Sequence, residues 1–186
     1  MTTYSPVVTE TTPARPVPTA VRALPYTSAF AGLAFALAQG LLPEQAQPFE
    51  QTTDYVLEIL FAISLVAGAA SAFALRPLGV VRRSRRFDTV AVRTNGAGQA
   101  LLAVAAGATV VAGQNTLGPV FLLGVALTLV GGVLTAVAAT KAGVLPKVLA
   151  VGLGAALPVA MVVGAWGPMV GVALGFAVAE AIRRNT

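Results

Sequence analysis

The chain has 186 residues, 56% of them hydrophobic and only 10% charged, with a net charge of +5. Soluble domains carry about 25% charged and about 45–50% apolar residues, so a soluble globular protein, a nucleic-acid-binding domain and a disordered chain are all excluded. A mean hydropathy of +0.82 leaves a polytopic membrane protein, all-α, because lipid-exposed backbone must satisfy its own hydrogen bonds.

The absence of cysteine and histidine removes disulfides, thiol nucleophiles, thiolate metal sites, His-ligated haem and imidazole bases. Each helical span needs about 20 residues, so no separate soluble domain fits beside several spans.

Residues 1–24 are rich in Thr and Pro, with Pro6, Pro13, Pro16 and Pro18 breaking any apolar period. This segment reads as a disordered cytoplasmic tail, followed by a single transmembrane bundle over 25–184. The first predicted span is 26–42, ending at Pro43. Its Ala36-Leu37-Ala38 before Gln39 resembles a signal-peptidase site. The apolar sequence continues through Leu42, which favours a retained span over a cleaved signal peptide.

An acidic stretch from Glu44 to Asp54 leads to the second predicted span, 55–75. The basic segment 76–93 follows and reads as a cytoplasmic loop. The third and fourth spans are predicted at 97–113 and 120–140, joined by a turn around Gly118-Pro119. The last uncharged stretch, 148–179, is long for one span and short for two. Gly167-Pro168 suits a tight turn with Pro168 opening a new helix, giving spans 148–165 and 168–182, with Trp166 at the interface and Pro158 kinking the fifth helix.

Charge placement favours six spans over five. With both termini inside, all 12 basic residues and three of the seven acids fall on the inner side. The other four acids, Glu44, Glu50, Asp54 and Glu58, fall outside, giving +9 against −4. Five spans would put Arg183 and Arg184 outside, against the positive-inside bias. The expected topology is therefore N-in/C-in.

Small residues recur every fourth position. Gly124, Thr128, Gly132, Ala136 and Thr140 mark the fourth span, and Gly167, Gly171, Gly175 and Ala179 the sixth. Such faces let helix backbones approach where lipid supplies no hydrophobic drive. Gly124, Gly132, Gly167, Gly171 and Gly175 are thus expected at helix contacts. The alternative for the Gly167 stripe is docking of a membrane protein partner or a second copy.

The candidate chemistry is sparse. Asp54 and Glu58 share a helix face and could contact a cation, with Gln39 near the same mouth. Structurally, Asp54 suits an N-cap and Glu58 the positive helix end. Arg82, Arg83, Arg85 and Arg86 would attract anionic lipid headgroups at about 1 kcal/mol each, or an acidic cytoplasmic partner. Nucleic acid fits poorly, because Phe87 is the segment's only aromatic. Gln39, Gln99, Gln114, Ser64, Thr109, Thr128 and Thr135 read as interhelical hydrogen-bond glue, and Glu180 as the partner of Arg183 or Arg184.

No ionisable residue falls near a span centre, against ordinary proton coupling. No catalytic constellation, cofactor or metal site is expected. The sequence thus favours a non-catalytic scaffold, accessory subunit or partner-binding module. A small-solute or hydrophobic-substrate transporter or channel is the alternative. The Ala/Gly/Val-rich composition is broadly like that of small bacterial multi-pass proteins, which places the expected site in a bacterial cytoplasmic membrane. That likeness covers no motif and transfers no residue.

Overall fold

A computed structural model describes residues 17–81, 86–163 and 167–185, and these contain six helices and no strand. In chain order they are α1 (Thr19–Leu41), α2 (Thr52–Ala74), α3 (Arg86–Ala112), α4 (Gly118–Ala142), α5 (Lys147–Val163) and α6 (Gly167–Asn185). Four of them, α1 to α4, are long and apolar enough to cross a membrane. Their outward positions are apolar too: Ile63, Val66, Val111 and Leu122 are all exposed, the reverse of a soluble surface.

Successive helices run in alternating directions, so one end carries the acidic α1–α2 connection and the other the basic α2–α3 and α4–α5 connections. Each helix packs on its sequence neighbours, and α6 returns to α1. Among the described residues no helix packs across the middle. The result is a closed ring. With neighbouring axes about 8–10 Å apart, opposite axes of a six-membered ring stand about 16–20 Å apart. Helices are only about 10–12 Å wide, so the axis stays open wherever the inner side chains are small.

Glycines set the tightest wall of this ring. Gly124 of α4 sits against Leu102 of α3, whose Cγ would lie 2.8 Å from an added Cβ. Gly98 of α3 meets the backbone of Thr128, and Gly131 meets the backbone of Asn95. Gly132, expected at a helix contact, has only an ordinary 3.7 Å approach to Leu153 of α5. The reason is geometric. Four residues advance a helix by about 400°, so a strict spacing of four drifts by about 40° per step. Gly124 and Thr128 face α3, whereas Gly132 and Ala136 have rotated towards α5, and Gly131 takes the α3 contact.

Two boundaries differ from the sequence expectation. α1 starts at Thr19, within the segment expected as tail, with Pro18 before it and Pro25 inside it. α3 starts at Arg86, well inside the expected basic loop. Asp88, Ala91, Val92 and Asn95 are buried at spacings of three and four, while Arg93 is exposed. One face of a polar-looking segment is therefore helical core.

The basic end is closed by an apolar plug. After α2 the chain turns at Gly79, whose φ of 77° costs glycine nothing but would strain other residues. The Val80 N–H donates to the Leu75 carbonyl at 3.0 Å and the Gly79 N–H to that of Arg76 at 3.1 Å, the paired bonds of a Schellman motif. This turn tucks Leu75, Leu78, Val80 and Val81 under the ring, against Ala91, Ala138, Leu145, Ala150, Val178 and Ile182. Val80 and Val81 are among the most buried side chains described.

The segment 148–179 is broken between α5 and α6, and α6 opens on Gly167-Pro168 as α4 opens on Gly118-Pro119. Trp166 lies outside the described residues. Pro158 lies within α5.

Candidate functional site

The ring interior holds four adjacent chambers, neighbours sharing lining residues, whose volumes decrease from the acidic end towards the plug. The first, of about 580 Å³, lies beneath the α1–α2 connection and is lined by Phe35, Gln39, Pro43, Glu44, Gln45 and Leu57. The second, about 390 Å³, shares Phe35, Gln39 and Gln45 and adds Gln47, Glu58, Phe61, Thr109, Asn115 and Pro168. The third, about 270 Å³, begins at Phe35, Phe61 and Pro168 and reaches Ser28, Ser64, Gly68, Gln99 and Gly171. The last, about 120 Å³, is lined by Ser28, Gly68, Ser71, Asn95 and Gln99 and ends on Leu75 and Val178 of the plug. Residues from α2 and α3 line the deep chambers together with residues from α5 and α6, which places them inside the ring.

The lining is unusual for helix interiors. Ser28, Ser64 and Gln99 lie midway along their helices and Ser71 in the last turn of α2, yet all remain only half-buried, because the cavity leaves them uncovered. Gly171 has open space where a Cβ would project. Gly68 makes room for Gln99, whose amide oxygen occupies the place a Cβ would take.

The α1–α2 connection shapes the mouth, and Asp54 organises that connection. Its carboxylate accepts the backbone N–H groups of Ala46 (3.2 Å), Glu50 (2.9 Å) and Gln51 (2.9 Å). Asp54 is buried and stands at the third helical position behind Gln51. It is therefore the reciprocal arm of a capping box rather than the N-cap expected from sequence, and it does not line the chambers. Glu58, one turn on, does. The Gln45 side-chain amide donates both to Glu58 Oε2 (3.2 Å) and to the Asp54 carbonyl (3.1 Å), holding the connection over the mouth. The connection is pinned on its far side by the Phe49 N–H on the Gly113 carbonyl (2.7 Å) and the Asn115 N–H on Gln47 Oε1 (3.1 Å).

Of the residues expected to act together, Gln39 and Glu58 do meet, as walls of one chamber. The glycine stripe of α6 is divided. Gly167 packs on the Ala160 backbone of α5, Gly175 lies 3.2 Å in Cβ terms from Ala29 of α1, and Gly171 faces the cavity. Arg86 is the exposed first residue of α3; Arg82, Arg83 and Arg85 lie outside the described residues.

Of the expected polar glue, Ser64, Thr109, Thr128 and Thr135 make no interhelical hydrogen bond among the described residues. Ser64 donates to the Phe61 carbonyl (2.7 Å) and Thr109 to that of Ala105 (2.9 Å), each within its own helix. Thr128 and Thr135 hydroxyls are buried without a partner. Gln99 sits in the deep chambers and donates to Asn95 Oδ1 of its own helix at 3.2 Å. Asn95 was missed because it precedes the apolar run; its spacing of seven from Asp88 was the available signal.

Comparison with protein-family models, with curated proteins and with solved structures finds no match. Among the described residues no group of three or more acidic side chains could hold a metal ion.

Proposed function

We propose that this chain is a six-span, N-in/C-in protein of a bacterial cytoplasmic membrane whose axial cavity opens outward and takes in a small solute, as a transporter or channel without ordinary proton coupling. The observation that carries this reading is the tapering cavity, its largely apolar walls carrying uncharged polar groups, open beside Gln39, Gln45 and Glu58, and stopped by the Leu75–Val81 plug. A ring packed only for structure gains by filling its axis. Here Gly171, Ser28, Ser64 and Ser71 keep it open. The orientation follows from the basic residues gathered at the plugged end, and α5 and α6 complete the ring as a shorter hairpin.

The natural lack of cysteine makes the test direct. Single cysteines at Asn115 and Gly171 should react with a membrane-impermeant thiol reagent added outside intact cells. One at Lys147 should react only after permeabilisation. Labelling at Lys147 from outside would overturn the topology, and an inert Gly171→Cys would overturn the open cavity.

The scaffold reading keeps one support, the basic segment with Arg82, Arg83, Arg85 and Arg86, which suits anionic headgroups or an acidic partner. Its glycine stripe is already engaged within the ring at Gly167 and Gly175. Copurification of a stoichiometric partner that is lost when these four arginines become glutamines would favour it.

A further inference from the structure

We propose that the narrow end of the cavity is a binding site for a small uncharged solute carrying several hydroxyl or amide groups, of the size of glycerol or urea. The inference rests on the solute-pathway reading and names what that pathway selects.

The chemistry of the last chamber excludes the other classes. Its polar lining consists of Asn95, Gln99, Ser28 and Ser71, and among the described residues no charged side chain contributes. Amides and hydroxyls each donate and accept, so they can match a molecule that does both. An ion would shed its hydration there without meeting an opposite charge, which is costly. An apolar molecule would leave the amides unpaired. Gln99 donates to Asn95, and that bond uses neither the Gln99 carbonyl nor the Asn95 amino group. Together they offer one acceptor and one donor, the pattern presented in reverse by a urea or a vicinal diol. Ser28 Oγ lies near the same spot, 3.7 Å from the position of a Gly68 Cβ.

Size agrees. The chamber's 120 Å³ equals about four waters at their liquid volume of about 30 Å³ each. The approach reinforces the choice. Phe35 and Phe61, with ring centroids 5.2 Å apart, stand where the mouth gives way to the deep chambers. An aromatic pair there removes water from an entering molecule with nothing to replace a full ionic shell. Glu58 stays on the mouth side.

The test uses Ser28→Cys, a nearly isosteric reporter in both deep chambers, in the full-length chain reconstituted into vesicles. Its rate of modification by an impermeant thiol reagent is measured with added urea, glycerol or guanidinium, the last being the charged counterpart of urea. Urea or glycerol should protect and guanidinium should not. Gln99→Leu in the same background should raise the concentration needed for half-protection about tenfold, the effect of one hydrogen bond. Should Gln99→Leu fail to fold, Ser71→Ala should raise it in the same direction. A reporter that reacts but is protected by neither neutral solute, or equally by guanidinium, overturns the inference and leaves the open pathway standing. The pathway itself fails separately, if Gly171→Cys does not react.

Discussion

The phenolic hydroxyl of Tyr26 donates to Glu180 Oε2 at 3.2 Å, tying α1 to α6 at the basic end. The same carboxylate takes two bonds from Arg183, both 2.7 Å, and one of 2.8 Å from Arg184. Helical neighbours three and four residues on thus hold Glu180 in place for a contact that crosses nearly the whole chain. Tyr26→Phe keeps the ring and removes the bond. It should lower the melting temperature in mild detergent by about 2–4 °C, the scale of a contribution near 1 kcal/mol in a chain of this size. Glu180→Ala, which also releases both arginines, should lower it further. Equal melting of wild type and Tyr26→Phe would remove the bond from any account of ring closure.

Gly131 and Gly132 are adjacent and should respond differently. A Cβ on Gly131 would fall 2.8 Å from the Thr94 carbonyl carbon and closer still to Asn95, whereas one on Gly132 meets nothing nearer than 3.7 Å. Gly131→Ala should destabilise by about 1–3 kcal/mol through overpacking of backbone against backbone. Gly132→Ala should stay within about 0.5 kcal/mol. Reversible unfolding of the two variants decides the register of the α3–α4 contact.

Gly79 offers a purely conformational test, because nothing lies within 4 Å of where its Cβ would be, while its φ is +77°. Gly79→Val should cost about 1–2 kcal/mol, and Gly79→Asn less, since asparagine tolerates the left-handed region. Because the turn seats the plug, Gly79→Val should also speed labelling of a cysteine at Ser71 from the basic side. Unchanged labelling would mean that the plug holds without its turn.

Asp54 and Glu58 separate structure from solute entry. Asp54→Ala strips three backbone N–H groups of their acceptor and should loosen residues 42–51, seen as faster hydrogen exchange there. Glu58→Gln keeps an acceptor for Gln45 and should leave exchange unchanged. It should still weaken accumulation of cations at the mouth, read as slower reaction of Gly171→Cys with a cationic thiol reagent relative to a neutral one. Matched effects of the two substitutions would deny the division.

Much of the architecture was legible because hydropathy and punctuation agree in α2, α4 and the Gly167-Pro168 break. What was not legible had polar and apolar residues interleaved. The start of α3 hides its core face, Asp88, Ala91, Val92 and Asn95, among Arg86, Arg93 and Thr94, so its average hydropathy reads as loop while its period reads as helix. Leu78, Val80 and Val81 were obscured by the neighbouring arginines. Gln39 and Glu58 could be brought together from their positions at helix ends. The Asn95–Gln99 pair could not, because its place inside the ring depends on where α3 begins.

The order of helices around the ring is their order along the chain, and this has a kinetic consequence. Five of the six helix interfaces join consecutive helices, so each can form as a hairpin soon after its second helix emerges, with little loop-closure entropy to overcome. The α1–α6 seam alone joins opposite ends of the sequence. It must close last, and until α6 is made the polar interior lies open sideways to its surroundings.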